Sequence, residues 1–217
     1  MPKSKLMSVL HLVACTRNRS ISATTLHTMM NLHVLCMIRG VHLEIHFVED
    51  KTSLPKVIKT GERIFWMDYA TSLNQDMLAK VIEPFEKGLQ VLVFPSVKEG
   101  INWDRFAKKT AAGSTEPAHQ RGLDFDTEVG KKLSPGIYEC KKTSARVWAM
   151  DAKPVDKKLR GGKDTIKLPL DDNEKMFDCL SQIGVKIGVA TEAEIICHYI
   201  HECFGNILEA SGVKLGP

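Results

Sequence analysis

The sequence predicts an α/β fold in which helices flank a mixed, mainly parallel sheet. In the first third of the chain, short apolar segments of strand character alternate with helical segments, which is the order of a parallel, doubly wound sheet. The apolar segment at residues 63–67 is followed directly by Asp68, at the point where parallel sheets bind ligands. A length of 217 residues with 43% hydrophobic residues is sufficient for one substantial core.

The first elements follow from apolar patterning and cap residues. Residues 9–14 form a short apolar run that predicts a buried strand. Ser20 or Ser22 then caps a helix that extends to about Ile38 with apolar side chains on one face. Gly40 ends this helix because glycine readily adopts the left-handed conformation of a helix terminus.

The middle of the chain continues the alternation of strands and helices. Residues 41–48 alternate between apolar and polar side chains and predict a second strand. A short helix at residues 54–59 leads to a third strand at residues 63–67, which is apolar and aromatic-rich after Arg63. Residues 75–87 predict another helix in spite of Pro84.

The second half is less regular. Residues 89–95 predict a fourth buried strand. Residues 98–134 are polar and glycine-rich, so we expect a partner-binding excursion with some helix at residues 103–109. Two further strands are predicted at residues 136–140 and 146–150.

The last part of the chain is predicted to form two helices and a strand, and the whole chain a single domain. We expect a helix that begins near Asp172, a strand at residues 185–189 and a final helix at residues 192–208. The chain is expected to form a single domain, with a nucleotide-binding half at residues 1–96 and an acceptor half at residues 97–217.

Composition narrows the functional classes. The net charge of +4 is mild, aromatic residues make up only 6%, and no basic helix stands out, so we expect no nucleic-acid partner. No apolar stretch is long enough to span a bilayer and the first residues do not form a secretory signal, so we expect no membrane association and a cytoplasmic location. The six cysteines form no Cys-x-x-Cys pair, and the order His198-Tyr-Ile-His201-Glu202 does not match a zinc hydrolase.

Polar residues follow each of the first three strands. The sequence contains neither the glycine-rich turn of dinucleotide-binding folds nor a P-loop, which disfavours dehydrogenases and P-loop enzymes. Hydroxyl, amide, guanidinium and carboxylate groups at a sheet edge are suited to a base, a ribose and a phosphate. The candidate nucleotide-binding residues are Thr16, Arg17, Asn18, Arg19, Glu49, Asp50 and Asp68. Asp68 could also hold Mn²⁺ or Mg²⁺ against a diphosphate, since these ions prefer oxygen ligands; the alternative is a loop or cap residue.

These residues resemble the GT-A class of nucleotide-sugar glycosyltransferases. In that class a strand-terminal Asp-x-Asp motif binds a metal and the donor diphosphate, and here Asp68-Tyr69-Ala70 retains only the first acid. The acidic helix start at residues 170–180, followed by a glycine turn and a strand at residues 184–189, is similar to the segment that GT-A enzymes place under the acceptor. The resemblance implies His198 as a second metal ligand, with His201 as the alternative.

Three segments resemble a narrower group within that class. Residues 14–19, 97–103 and 147–151 are similar to the amino-terminal glycosyltransferase domain of a multidomain protein family of chloroviruses, the large DNA viruses of green algae. This resemblance implies a hexosyltransferase that uses a UDP-sugar, such as UDP-glucose or UDP-rhamnose, and a glycan or glycoprotein acceptor. It also implies capsid glycosylation in the host cytoplasm, and a chain that is one domain of a longer polypeptide.

The acids of the second half are candidates for the chemistry. If the sugar inverts, Asp171 or Asp172 at a helix start would be the general base, and a retaining enzyme would need no such base. A helix cap is the alternative role for these two residues. Asp151 and Glu99 are candidates for holding the acceptor. The indoles of Trp103 and Trp148 could stack on a sugar, or could belong to the core.

Two other functions remain open at this point. Acids after the second strand are also found in methyltransferases that use S-adenosylmethionine, although the turn at residues 15–18 is not glycine-rich. A non-catalytic nucleotide- or glycan-binding module is compatible with the incomplete Asp-x-Asp motif.

Overall fold

The protein is described here by a computed structural model that covers residues 7–86, 88–161 and 166–197. The strands of the first half are β1 (Val9–Cys15), β2 (His42–Val48), β3 (Arg63–Met67), β4 (Thr71–Leu73) and β5 (Val91–Phe94). The strands of the second half are β6 (Thr127–Ser134), β7 (Ile137–Thr143), β8 (Val147–Asp151), β9 (Ile187–Ala190) and β10 (Ile195–Cys197). The α-helices are α1 (Ala23–Arg39), α2 (Leu54–Thr60), α3 (Gln75–Ile82), α4 (Trp103–Ala111), α5 (Ala152–Leu159) and α6 (Asn173–Gln182).

The described residues form one central sheet with the strand order β2-β1-β3-β8-β5-β9-β7-β6. Strands β2, β1 and β3 are parallel, and so are β5 and β9. Strand β8 lies between β3 and β5 and is antiparallel to both, and β7 is antiparallel to β9 and β6. Most strands therefore run in one direction, and the predicted α/β class with a mixed, mainly parallel sheet is confirmed.

Helices cover both faces of the sheet. The apolar side chains of α1 and α3 pack on one face, against alternate residues of β1, β3 and β5. The apolar side chains of α2, α5 and α6 pack on the other face. Because both faces are covered, the strands in the middle of the sheet are apolar at nearly every position, as in β3, where all five residues are buried.

Two stacked indoles lie at the centre of the core on the face of the sheet that α2, α5 and α6 cover. Trp66 on β3 and Trp148 on β8 are fully buried, with ring centroids 5.7 Å apart and an interplanar angle of 3°. Phe177 of α6 meets the Trp148 ring edge-on at 6.0 Å. Trp148 is therefore a core residue, and the suggestion that it stacks on a sugar is wrong.

The predicted helix at residues 75–87 is shorter than expected. Helix α3 ends at Ile82, and Glu83 has the extended backbone that a following proline favours (ψ 150°). The ring of Pro84 prevents the helix from continuing, so the apolar pattern beyond this point was misleading.

Three strands were not predicted. Strand β6 lies in the region assigned to a polar excursion, where its residues are mostly exposed and the apolar alternation is weak. Strands β4 and β10 pair with each other antiparallel outside the main sheet. Residues 195–197, predicted as helix, are thus a strand, and the remainder of that predicted helix lies outside the described residues.

Glu62 connects the starts of two parallel strands. Its Oε2 accepts hydrogen bonds from the Ser8 hydroxyl at 2.6 Å and from the backbone N–H groups of Ser8 and Val9 at 3.1 and 3.3 Å. Its Oε1 lies 2.9 Å from Nζ of Lys153. These bonds, led by that of the Ser8 hydroxyl, lower the pKa of the Glu62 carboxyl to about 2.

A glutamine at position 62 is expected to change how stability depends on pH. The low pKa of Glu62 contributes stability that is complete above the ordinary glutamate pKa of 4.5 and is lost as the pH falls towards about 2. The difference in unfolding free energy between the wild type and Glu62→Gln should therefore shrink across that interval in urea titrations. Glu128→Gln, at an exposed position on β6, is the control. A difference that stays constant from pH 6 to pH 2 would refute this role.

Within the described residues, no helix has the length and apolar character needed to cross a membrane.

Candidate functional site at the carboxyl end of β1

From the connections of the first three strands, a ligand crevice is expected at the carboxyl end of β1. Helix α1 leads from β1 to β2 across one face of the sheet, and α2 leads from β2 to β3 across the other face. Strand β1 therefore lies between two strands reached by connections on opposite faces. This is the topological switch point at which open α/β sheets bind their ligands.

The turn after β1 lies at this edge of the sheet, beside the end of β2. Thr16 is bound to the end of β2, because its N–H and its hydroxyl both donate to the carbonyl of Val48, at 2.7 and 3.2 Å. Arg17 and Ser20 form a pair of backbone hydrogen bonds across the turn, each 3.0 Å long. Both arginines of the predicted set, Arg17 and Arg19, are exposed here.

The two acids after β2 have different surroundings. Asp50 accepts hydrogen bonds from the Thr52 hydroxyl at 2.5 Å and the Thr52 N–H at 2.8 Å, and so caps the short 3-10 helix Lys51–Ser53. These bonds hold the pKa of Asp50 below its usual range. Its carboxylate is thus engaged locally, whereas Glu49 is exposed beside it.

Asp68 lies at the carboxyl end of β3, next to the end of β1. Its Oδ1 accepts a hydrogen bond from the Trp66 indole Nε1 at 2.6 Å and lies 3.8 Å from the Cys15 thiol. Burial and the nearby carboxylate raise the pKa of Cys15, so this thiol is a neutral donor. The side chain of Asp68 remains 20% exposed, and its Oδ2 lies 3.6 Å from Nε of Arg146.

Two cations accompany Asp68, and the sequence analysis did not identify either of them. Arg146 precedes β8, and its Nη2 donates to the carbonyl of Tyr69 at 2.8 Å. Its own backbone carbonyl accepts from the N–H of Asp68 at 3.0 Å. The ammonium of Lys51 lies over the Trp66 ring, 5.6 Å from its centroid. The end of β3 therefore combines a carboxylate with two positive groups, Arg146 beside Asp68 and Lys51 over the ring of its hydrogen-bond partner Trp66.

The two loops of this crevice also contain strained backbone. Asn18, Arg19 and Ala70 have φ values of 50°, 58° and 57°, and they are the non-glycine residues with positive φ in the described chain. Each such conformation costs on the order of 1 kcal/mol or more and is typical of functional sites. Ala70 is also the residue that replaces the second acid of the Asp-x-Asp motif.

The start of α6 reaches the same edge of the sheet. The side-chain amide of Asn173 donates to the carbonyls of Ser144 and Ala145, just before Arg146, at 3.4 and 3.1 Å. Helix α6 therefore begins beside the amino end of β8, which lies at the same edge as the carboxyl end of β3. The acidic helix start is thus at the edge of the sheet that also carries Asp68.

The two acids of this helix start have different surroundings. Asp172 is the N-cap, and its carboxylate accepts from the N–H groups of Glu174 at 2.9 Å and Lys175 at 3.3 Å. These backbone hydrogen bonds, with Lys175 first, lower the pKa of Asp172, which makes it a weaker base. Asp171 is exposed and makes no such cap. Of the two, Asp171 is the better candidate for a general base.

Asp151 lies at the opposite edge of the sheet from Asp68. Strand β8 is antiparallel to β3, so that Arg63 faces Asp151 and Met67 faces Val147. Five residues of strand separate Asp151 from the position beside Asp68, which is about 17 Å. Asp151, a predicted candidate for holding the acceptor, is therefore distant from Asp68, and its carboxylate pairs with Arg63 at 2.7 Å.

The remaining candidates lie on or before α4. Glu99 is exposed in the segment that precedes this helix. Asn102 caps the helix through a hydrogen bond from the Arg105 N–H at 2.9 Å. Trp103 is 67% exposed and contacts Phe106 edge-on at 5.9 Å, so its indole is available to a ligand.

The described residues around Asp68 do not by themselves form a complete metal site. In the described part of the chain, no group of three ligand-type side chains includes Asp68. Oδ1 of Asp68 accepts a hydrogen bond from the Trp66 indole, and Oδ2 faces the guanidinium of Arg146. The predicted partner His198 and its alternative His201 lie outside the described residues.

Comparison with known proteins assigns no family. No protein-family model matches the sequence, and no curated protein matches it. Several solved structures resemble this chain in backbone arrangement. A197 from STIV is 11% identical, with a TM-score of 0.46 over 90% of this chain and 87% of that one. The inositol-1-phosphate CTP transferase from T. maritima is 10% identical, with a TM-score of 0.46 over 89% and 90%. A Bacillus anthracis protein assigned as a glucose-1-phosphate thymidylyltransferase is 8% identical, with a TM-score of 0.49 over 97% of both chains.

Proposed function

We propose that the chain is a glycosyltransferase that binds a nucleoside diphosphate sugar in the crevice at the carboxyl end of β1. The observation that carries this proposal is the meeting of Asp68, Arg146 and Lys51 at a topological switch point. A diphosphate needs positive partners, and a ribose or base needs an acceptor. The crevice offers positive groups and a carboxylate acceptor close together at the carboxyl end of β3.

The neighbouring residues have complementary roles in this proposal. Arg17 and Arg19 are exposed in the turn after β1 and would neutralise phosphate charge from the outer side. Asn18 and Thr16 would contact the base or ribose, and Glu49 lies at the same edge for a ribose hydroxyl. Asp50 contributes by fixing the segment that carries the Lys51 ammonium.

Charge on the departing diphosphate has two possible sources of stabilisation. A Mn²⁺ or Mg²⁺ ion held by Asp68 and His198 would neutralise this charge as a Lewis acid. Arg146 and Lys51 supply positive charge at the same place without an ion. Because Oδ2 of Asp68 already faces Arg146, an ion at this oxygen would have to displace the guanidinium.

The sequence resemblance extends the proposal to the donor, the acceptor and the biological role. The donor would be a UDP-sugar such as UDP-glucose or UDP-rhamnose, and its hexose would be moved to a hydroxyl of a glycan or glycoprotein. The reaction would belong to viral capsid glycosylation in the host cytoplasm. Asp171 would act as general base in an inverting reaction, with Asp172 fixing the helix start beside it. The exposed Trp103 would face the acceptor sugar.

Calorimetry with nucleotides tests this proposal. UDP and UDP-glucose should bind the purified chain, and UDP-glucose should be hydrolysed slowly in the absence of an acceptor. Titration with and without Mn²⁺ separates the ion from Arg146 as the diphosphate partner. Binding of S-adenosylmethionine instead of UDP would favour a methyltransferase, and UDP-glucose binding without turnover would favour a non-catalytic module. Either result would overturn the proposed activity.

A further inference from the structure

We propose that His11, Glu44 and His46 form a zinc-binding site on the α2-side face of strands β1 and β2. The site lies four residues along β1 from Cys15, which is about 13 Å. It is therefore separate from the crevice at the carboxyl end of β1 and does not depend on the function proposed for that crevice.

Three ligand atoms converge at this place. Nδ1 of His11 lies 3.1 Å from Nε2 of His46 and 3.2 Å from Oε2 of Glu44, and the two outer atoms are 3.9 Å apart. Zinc holds nitrogen and oxygen ligands at about 2.0–2.2 Å in tetrahedral geometry, which places ligand pairs roughly 3.3 Å apart. Among the described residues, this is the one group of three or more histidine, cysteine or acidic side chains whose ligand atoms converge in this way.

The pairing of β1 with β2 fixes this arrangement. In the parallel register His11 is level with Glu44, and Val13 is level with His46. Alternation along β2 places Glu44 and His46 on one face of the strand, the face to which His11 also points. Ligands on two adjacent strands need little rearrangement to bind an ion, which favours affinity.

The packing around His11 also fixes its ring. The side chain of His11 is 8% exposed and stacks on the His46 ring at a centroid distance of 5.4 Å. Gly61 lies against the Cδ2–Nε2 edge of the ring, where an added Cβ atom would be 3.0 Å from Cδ2 of His11. The glycine thus permits the buried position of the imidazole.

A hydrogen-bonded cluster satisfies these three side chains less well than a cation does. Nδ1 of a neutral His11 can donate one proton or accept one, but it lies at almost equal distances from Glu44 Oε2 and from His46 Nε2, whose own role depends on its tautomer. A zinc ion at the centre would bind all three lone pairs at once. The side chains of Glu44 and His46 are 45% and 35% exposed, so an ion has a path to the site and water is available as a fourth ligand.

Metal titration of the purified chain tests this inference. After treatment with a chelator and its removal, Zn²⁺ is titrated in competition with a chromophoric chelator. The chain should bind Zn²⁺ at this site, and His46→Ala should weaken the binding at least about 10-fold, the minimum cost typical of losing even an outer-shell partner. His33→Ala is the matched control, because His33 is exposed on α1. Its affinity should equal that of the wild type.

Three further experiments keep the result interpretable. Cys197, His198, His201 and Cys203 also carry ligand-type groups, so the titration is repeated in the Cys197→Ser/Cys203→Ser variant, where this zinc binding should persist. Co²⁺ bound by His11, Glu44 and His46 should show weak visible bands without thiolate charge transfer. Glu44→Gln changes an exposed side chain and should remove the binding in a chain whose circular dichroism is unchanged. Absence of zinc binding, or binding that survives both His46→Ala and Glu44→Gln, would overturn the inference.

Discussion

Replacing Asp151 with alanine is expected to lower the free energy of unfolding by about 2–3 kcal/mol, less than the roughly 3–5 kcal/mol of breaking a fully buried ion pair, because the Asp151 side chain is 29% exposed. Asp151 Oδ1 lies 2.7 Å from Nη2 and 2.8 Å from Nε of Arg63, whose side chain is only 6% exposed. Arg63 also donates to the carbonyls of Val81 and Glu83, and its guanidinium lies 3.8 Å from the Phe85 ring centroid. The variant would leave this cation buried without its carboxylate.

Urea unfolding followed by circular dichroism measures this loss. Asp178→Ala is the control, because Asp178 is exposed on α6, and its change should be within about 0.5 kcal/mol. A double replacement, Arg63→Met with Asp151→Leu, should be less destabilised than Asp151→Ala, because it removes both charges together. A loss for Asp151→Ala no larger than that of the control would contradict the structural role of this pair.

Changing Asp68 to asparagine is expected to lower turnover of a nucleotide-sugar donor by roughly 100-fold or more, the scale of losing one well-placed electrostatic group. Asparagine retains the oxygen that accepts from Trp66, but it removes the negative charge beside Arg146. The fold should therefore persist while the charge balance of the crevice changes.

Donor hydrolysis and calorimetry separate the possible effects of Asp68→Asn. Asp178→Asn is the matched control, since this exposed position is remote from the described contacts of Asp68. A wild-type melting temperature together with lost turnover would locate the effect in the crevice. Unchanged turnover in a folded Asp68→Asn variant would show that this carboxylate has no part in the reaction.

Part of the fold could be predicted because burial leaves a clear pattern. The apolar runs of β1 and β3, in which His11 and Arg63 are the polar members, identify strands covered on both faces, and Asp172 was recognised as a possible helix cap. Strand direction leaves no such pattern. Strand β8 is as apolar as a parallel strand, so the sequence does not reveal its reversed direction or that Asp151 lies at the opposite edge of the sheet from Asp68.

The candidate site could be predicted only where its residues follow a strand directly. Asp68 and the turn after β1 were found in this way, but Arg146 reaches Asp68 across the β3–β8 pairing, which the sequence does not reveal. Lys51 follows Glu49 and Asp50 in a polar loop, where a lysine is ordinarily solvated, so the sequence did not mark it as a site residue. The alternating order His42-Leu-Glu44-Ile-His46 was a visible signal of ligands on one strand face, but its third member, His11, comes from another strand.

The most direct test of the proposed nucleotide-sugar site is a crystal structure of the chain soaked with UDP-glucose, with and without Mn²⁺. The proposal predicts nucleotide density in the crevice at the carboxyl end of β1, with the diphosphate near Lys51 and Arg146 and a polar group of the nucleotide or an ion at Asp68. Density elsewhere on the molecule, or an empty crevice at a saturating concentration of UDP-glucose, would contradict it.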